Sequence, residues 1–354
     1  MKQDEKNLTG AVIAGCEIIR EIGRGNSGIV YLAHQLKLDR QVACKVIFPD
    51  LQDSDEFLGN LFTEAANVAK LSHPNVIQAL SAGSTEEGLN YFLMEYVDGH
   101  SLEYIRANTP EIISTDFLLT ISIQLADALE YAWKKHRMIH GDIKPGNLLI
   151  TQGNVLKIAD LGLAISALAD SGDKGDVMVT PLYTAPEIIN GSSSGPDPRS
   201  DIYSFGVMFY ELACGRAPFT GTVEEILRSH LSETPQPLIV MNPDLDRELA
   251  QFIDSTLAKD PADRPADWTT VKNTLTAIRE KLRKPRAAAD PAAPAIQPEI
   301  GSGPVRRKQT SWSAEKSRKG SKFLAKFPWL LPAVLLILIA AALATIPFSM
   351  GLFK

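Results

Sequence analysis

The sequence predicts an α+β chain of two lobes, a strand-rich first lobe and a larger, mainly helical second one. Three observations carry that reading. Between Cys16 and Glu95 the apolar residues come largely in short β-branched runs cut by glycine and polar turns, the signature of strands. From Thr115 onward they recur at spacings of three and four, the signature of helices that bury one face. Between the two, Tyr96-Val97-Asp98-Gly99 breaks both patterns and reads as a hinge.

Length and composition set the frame. A chain of 354 residues holds two globular units, or one two-lobed domain with appendages. Its 45% apolar and 22% charged residues are ordinary for a folded soluble protein. Cys16, Cys44 and Cys214 lie far apart without a CxxC pair, which argues for a reducing compartment and against disulfides or a structural zinc. The small and apolar stretch Gly10 to Ala14 is too short for a signal peptide. Charge is uneven. Val305 to Lys326 carries eight basic residues against Glu315 alone, although the formal total is −6. The remainder is therefore acidic, which speaks against a nucleic-acid-binding main domain.

Taken in order, Cys16 to Arg20 and Ile29 to Ala33 read as strands flanking Gly23-Arg24-Gly25-Asn26-Ser27-Gly28-Ile29-Val30. A strand follows the glycines where a dinucleotide-binding unit would have a helix. What remains is a hairpin whose backbone can approach a ligand, or a plain glycine-rich turn. Gln41 to Ile47 is a strand with Lys45 in an apolar row; that lysine either meets an anion or snorkels to water. Ser54 to Leu71 has helical spacing and contains Glu64, which either faces Lys45 or sits on a solvated face. Two strands follow, Val76 to Ala82 and Tyr91 to Glu95, joined by the turn Thr85 to Gly88. Thr115 to Lys135 reads as a buried helix, and Arg199 to Gly215, Thr222 to Ser232, Asp246 to Leu257 and Asp267 to Leu282 as later ones. There is no internal repeat.

The chemistry gathers at Ile139-His140-Gly141-Asp142-Ile143-Lys144-Pro145-Gly146-Asn147. Gly141, Pro145 and Gly146 exclude a regular helix, so Asp142, Lys144 and Asn147 sit on a shaped loop. The strand Leu148-Leu149-Ile150 pins it. Such a loop suits a proton acceptor, a charge stabiliser and a metal ligand, and taken alone it is equally a polar turn. A further strand, Val155 to Ala159, closes on Asp160-Leu161-Gly162, where a strand-held carboxylate before a glycine turn is well placed as a metal ligand or is an ordinary turn.

Together these pieces resemble the eukaryotic-type serine/threonine protein kinases, most of all the bacterial membrane-anchored kind. The resemblance covers Cys16 to Leu282. Gly23 to Val30 has the full G-x-G-x-x-G-x-V form, and Val42-Ala43-Cys44-Lys45 is similar to V-A-I-K. Glu64 matches the helix glutamate, His140-Gly141-Asp142 through Asn147 the catalytic loop, Asp160-Leu161-Gly162 the D-F-G, and Ala185-Pro186-Glu187 the A-P-E. Six motifs in order leave chance negligible.

The resemblance implies a two-lobed kinase fold: an extension at 1–15, a small antiparallel sheet with one helix at about 16–97, and a helical lobe at about 98–282. It implies ATP and Mg²⁺, with Mn²⁺ as a substitute, and cytoplasmic proteins as substrates. Gly23, Arg24, Gly25, Asn26, Ser27, Gly28, Ile29 and Val30 would bind ATP, with the backbone amides of Gly25 to Gly28 covering its phosphates, and Lys45, paired to Glu64, would hold the α- and β-phosphates. Adenine would sit under Ala43 and Val30, with Met94 behind it and the backbone near Glu95 and Val97 beside it. Asn147 and Asp160 would bind the metal, Asp142 accept the proton of the attacking hydroxyl, and Lys144 stand beside the transferred phosphoryl group. Thr180 would tether Asp142 and Lys144, Glu187 pair with Arg264, and Asp201 brace the loop. Three departures stand out. Gly141 replaces the usual Arg, which predicts weaker dependence on loop phosphorylation. Leu161 replaces Phe but keeps an apolar packing residue, and Val179 replaces a Gly before Thr180.

After Leu282 the composition changes. Pro285 to Pro304 is a Pro- and Ala-rich linker, the basic tract follows, and Phe327 to Phe353 carries no charge. About 20 mostly apolar residues cross a bilayer, so a span at 327–348 is expected after a linker at 283–326. Trp329 would anchor it at the interface. The basic tract places the main domain on the cytoplasmic side of a bacterial inner or plasma membrane and would attract anionic lipids. The tail at 349–354 is too short for an external sensor domain, and a homodimer is a further expected partner arrangement.

Overall fold

The structure, a computed structural model, describes residues 8–25, 28–48, 59, 66, 68–161, 180–191 and 197–284, all within one compact unit. The first lobe is a six-stranded sheet: β1 (Val12–Ile13), β2 (Cys16–Arg24), β3 (Gly28–Gln35), β4 (Arg40–Ile47), β5 (Ala79–Ser84) and β6 (Asn90–Glu95). Its order is β1-β2-β3-β4-β6-β5 and every pair is antiparallel.

Register explains why both faces of β4 are apolar. Side chains alternate along a strand, and directly opposed residues share a face. Val30, Lys45 and Phe92 are opposed, as are Leu32, Ala43 and Met94. Val30, Ala43, Phe92 and Met94 cluster with Ile77, Val97, Leu149 and Ala159 on the face toward the second lobe's hairpin. The opposite face packs Ile18, Tyr31, Ala33, Val42, Cys44, Val46 and Leu93. Burial there pushes the Cys44 thiol up to about 12, so it is an inert core residue, and all three cysteines are free.

The expected strand from Val76 begins later. Ile77 donates its N–H to Ile158 O at 2.9 Å, and Ile158 N–H donates to Asn75 O at 2.8 Å. The 75–77 segment therefore bonds to a strand of the other lobe, and β5 starts only at Ala79. The expected helix Ser54 to Leu71 lies mostly outside the described residues; Gly59, Ala66 and Val68 are helical.

The second lobe opens with β7 (Gly99–Ser101) and α1 (Leu102–Asn108), where the sequence suggested only a break. Next come α2 (Thr115–His136), β8 (Leu148–Thr151) and β9 (Leu156–Ile158), with β7-β8-β9 forming a three-stranded sheet. The remaining helices are α3 (Pro186–Ile189), α4 (Pro198–Cys214), α5 (Val223–Ser232), α6 (Leu238–Met241), α7 (Arg247–Thr256) and α8 (Trp268–Arg283). Helix α4 is buried on all sides from Ser200 to Leu212, and the polar residues of that stretch, Ser200, Asp201, Ser204 and Glu211, are hydrogen-bonded. Trp268 of α8 packs edge-on against its Phe205 at 5.9 Å between ring centroids. Helix ends carry their caps: Ser114 accepts from Phe117 N–H, Thr222 and Glu225 form a capping box, and Asp267 accepts from Thr270 N–H. Among the described residues no helix is long and apolar enough to cross a membrane; the expected span at 327–348 and the linker before it lie outside them.

Candidate active site

The loop that opens the site hangs from a buried carboxylate. Asp201, 1% exposed in the first turn of α4, accepts from His140 N–H at 2.6 Å and Gly141 N–H at 2.8 Å. A lone carboxylate is costly to bury, and these bonds offset part of that cost. Burial nevertheless holds its carboxyl above the usual range, with His140 and the two amides pulling the other way. Gly141 bends the chain at φ 79°, in the left-handed region. Any side chain there would cost about 1–2 kcal/mol, so glycine suits the position for backbone reasons alone.

Next along, Asp142 is surrounded by donors. Thr180 Oγ1 donates to its Oδ1 at 2.8 Å, and Asn147 Nδ2 donates to its Oδ2 at 2.9 Å and to its carbonyl at 2.8 Å. Lys144 Nζ lies 2.6 Å from the same Oδ2 and donates to Thr180 Oγ1 at 2.9 Å. Pro145–Asn147 is a single 3-10 turn, which aims Asn147 back at Asp142. Both side-chain bonds of Asn147 run from its nitrogen, so Oδ1 is the atom it offers to a cation. Lys144, Thr180, Asn147 and Asp142 are thus brought together as expected.

From the first lobe, Lys45 reaches across. It is 6% exposed, and its Nζ bonds Asp160 Oδ1 at 2.9 Å. Burial would raise the Asp160 carboxyl; the Lys45 ammonium beside it outweighs that and holds it below the usual carboxylate range. Asp160 sits at φ 51°, a left-handed conformation that its short polar side chain tolerates better than most. Ala159 N–H donates to Asn147 O at 2.9 Å, which ties the Asp160 segment to the Asn147 turn. Leu161 is buried in the core of the second lobe, as its packing role requires. Glu64, the expected partner of Lys45, lies outside the described residues, as do Asn26, Ser27, Gly162 and Val179.

The glycine hairpin closes over β4. A Cβ on Gly28 would stand 2.1 Å from Val46 O, so only glycine allows this approach. Gly25 N–H donates to Gly28 O at 2.9 Å, while Gly23 and Arg24 pair with Val30 and Ile29. Glu95 N–H is taken by Gln78 O at 3.0 Å. The Glu95 side chain forms an ion pair with Lys157 of β9.

Behind the site, Arg264 has all five N–H donors bonded, as a buried guanidinium requires. Nε donates to Ala258 O, Nη1 to Glu187 Oε1 and Arg199 O, and Nη2 to Glu187 Oε2 and Lys259 O, at 2.8–3.1 Å. Sequence reasoning found this pair and missed its neighbours. The Tyr183 hydroxyl donates to Glu211 at 2.6 Å, and Tyr203, His230 and Lys259 form a chain of bonds to Leu182 O. Partners 27 to 56 residues apart leave no local signal.

Comparison with known proteins agrees with this geometry. The family described as protein kinase domain matches residues 16–276. A probable serine/threonine-protein kinase of Clostridium perfringens is 33% identical over 270 residues, covering 76% of this chain and 38% of that protein. Serine/threonine-protein kinase PrkC of Bacillus subtilis is 32% identical over 366 aligned positions, covering 98% of this chain and 55% of that protein. The chain thus spans between about two-fifths and just over half the length of these relatives. The crystal structure of the Mycobacterium tuberculosis PknI kinase domain superposes with a TM-score of 0.61 at 27% identity, covering 77% of this chain and 98% of that one. With the glycine hairpin, the Lys45–Asp160 pair and the Asp142 loop in these positions, the chain belongs to the protein kinase family, among the eukaryotic-type serine/threonine kinases of bacteria.

Proposed function

We propose that the chain transfers the γ-phosphoryl group of ATP to Ser and Thr hydroxyls of cytoplasmic proteins. The observation that carries this is the Asp142 carboxylate, held by Thr180, Lys144 and Asn147 on a loop fixed by Asp201. When bound, ATP supplies the phosphoryl group and Mg²⁺ neutralises its charge. The residues present fit both. Gly28 leaves room where a Cβ would collide, and Val30, Ala43, Met94 and Val97 line one apolar wall. Lys45 brings a buried ammonium to the mouth of that wall, and Asp160 with Asn147 Oδ1 offers hard oxygen ligands. Among the described residues no cluster of three or more His, Cys, Asp or Glu could hold a metal, so phosphate and water oxygens would complete the shell.

Asp142 orients the acceptor hydroxyl and takes its proton, and Lys144 places a positive charge beside the moving phosphoryl group. Phosphoryl transfer asks for positioning and charge more than covalent chemistry, which is what these four side chains provide. The full chain, incubated with Mg²⁺ and labelled ATP, is expected to label itself or a generic basic protein. Asp142→Asn is expected to lower kcat by about 10²–10⁴-fold, the range for a lost general base. Equal labelling by wild type and Asp142→Asn would refute the assignment.

We also propose that residues 327–348 tether the kinase to the membrane, with the basic tract on anionic lipid. The support is the uncharged run from Phe327 to Phe353 directly after eight basic residues. Full-length protein recovered in the soluble fraction after cell lysis would refute it.

A further inference from the structure

We propose that Lys259, Tyr203 and His230 form a positioning relay that holds the Leu182 carbonyl, and with it the Thr180–Tyr183 turn whose Thr180 bonds Asp142, where the acceptor hydroxyl would lie. The inference rests on the kinase reading. It concerns residues that touch neither Asp142 nor the nucleotide face.

The turn is a short 3-10 piece, Pro181–Tyr183, with no helix of its own to stiffen it. Side chains do that instead. Thr184 Oγ1 donates to Thr180 O at 2.9 Å and Ser204 Oγ to Tyr183 O at 2.7 Å. The Leu182 carbonyl between them is held by His230 Nε2 at 3.0 Å. His230 is fully buried on α5, edge-on to Phe219 at 5.0 Å and Tyr203 at 5.6 Å.

Directionality follows from the donors available. Lys259 Nζ lies 3.3 Å from the Tyr203 hydroxyl oxygen, 3.2 Å from Ser229 O and 4.6 Å from the centre of the Phe219 ring. An ammonium only donates, so the Tyr203 oxygen accepts from it. The hydroxyl's single proton then points at His230 Nδ1, 2.8 Å away. An accepting Nδ1 leaves the imidazole proton on Nε2, which donates to Leu182 O. Lys259, through Tyr203, and the Leu182 carbonyl, which only accepts, thereby select the same His230 tautomer. In the opposite tautomer a lone pair would face the carbonyl and the turn would lose its tether.

The electrostatics agree. Burial pushes His230 down to about 4, against the pull of its bond to Leu182, so the ring is neutral at pH 7. Burial, with Arg264 nearby, lowers Lys259 to about 8, still charged at pH 7, while Glu233 pulls the other way. Arg264 lies over the Tyr203 ring at 4.8 Å and is neutralised by Glu187.

The test uses the full chain, Mg-ATP and myelin basic protein as acceptor, with Tyr203→Phe, Lys259→Met, His230→Gln and His230→Leu. Tyr203→Phe and Lys259→Met are expected to raise KM for the acceptor about tenfold, the worth of one good hydrogen bond, with KM for ATP and kcat within about twofold. His230→Gln keeps an N–H for Leu182 and is expected to stay near wild type, whereas His230→Leu is not. Hydrogen exchange of the peptide covering Thr180–Thr184 is read in parallel and needs no turnover; it is expected to quicken about tenfold in Tyr203→Phe. Unchanged exchange and acceptor KM in Tyr203→Phe overturns the relay, as does a fall of kcat and both KM values together. Wild type without transfer, but with the exchange effect intact, overturns the kinase reading and leaves the relay standing.

Discussion

Arg264→Met should be among the most damaging single changes outside the catalytic loop. Its side chain is fully buried, and Glu187 is 15% exposed. Methionine keeps much of the volume and removes the charge. The Glu187 carboxylate would keep the Ser200 hydroxyl at 2.6 Å as its remaining side-chain donor. Three carbonyls, of Ala258, Arg199 and Lys259, would lose theirs. Breaking one side of a buried ion pair costs about 3–5 kcal/mol, and the carbonyls that lose a donor push toward the upper end. Against a domain stability of about 5–15 kcal/mol this is a third or more. Urea unfolding of the full chain, followed by far-UV circular dichroism at pH 7, reads it. The double change Glu187→Gln with Arg264→Met removes the stranded charge and should recover about 1–2 kcal/mol. Acid adds a sign. Burial would raise the Glu187 carboxyl, but its bonds to Arg264 and Ser200 hold it below 4.5. The pair's stabilisation is therefore present above pH 4.5 and is lost as pH falls through the lower folded value. In Arg264→Met burial is opposed chiefly by Ser200, so protonating the stranded Glu187 should restore part of the lost stability as pH falls. A single variant within about 1 kcal/mol of wild type, or a double variant that is simply additive, would refute the reasoning.

Gly28→Ala forces the β3 backbone away from Val46; an overpacked contact of about 1–3 kcal/mol should appear as a roughly tenfold rise in KM for ATP with acceptor KM unchanged. Lys272→Met should move acid unfolding to higher pH. Glu130, buried but bonded by Lys134, Lys272 and Thr269, is held at about 2, so its stabilisation is present above pH 4.5 and lost between there and about 2, a window that narrows when one donor goes. Phosphatase treatment of the wild type should change its activity by less than about twofold, because Gly141 supplies no cation for a phosphorylated loop; a tenfold loss would show that another cation does.

Much of the site was legible because its residues sit beside local signals. Gly28, Lys45, Asp142, Asn147 and Asp160 each lie at a strand end or a glycine or proline turn, where the chain advertises an unusual geometry. The break at Tyr96 to Gly99 follows the last strand of the first sheet, yet it hid β7 and α1, since three residues make too short a strand to show alternation. The start of β5 was misplaced for a different reason. Val76 and Ile77 are as β-branched as any strand, and only tertiary pairing with Ile158 decides that they bond to the other lobe. Tyr203, His230 and Lys259 carried no signal at all, because burial, not sequence spacing, makes their bonds.

Those bonds clarify what holds the Asp142 loop and the Thr180–Tyr183 turn in register. The first turns of α4 contact nearly every piece. Asp201 holds His140 and Gly141, and through them Asp142. Ser200 bonds Glu187, Ser204 bonds Tyr183 O, and Tyr203 reaches Leu182 through His230. Four of five consecutive residues thus anchor the Asp142 loop on one side and the Thr180–Tyr183 turn on the other. A helix buried on all sides cannot tilt to relieve strain at one anchor without disturbing the rest, since close-packed interiors transmit displacement. The distance from Asp142 to the Thr180 turn is therefore set by one rigid body. Thr180 bonded to Asp142 at 2.8 Å closes that circuit from the other end.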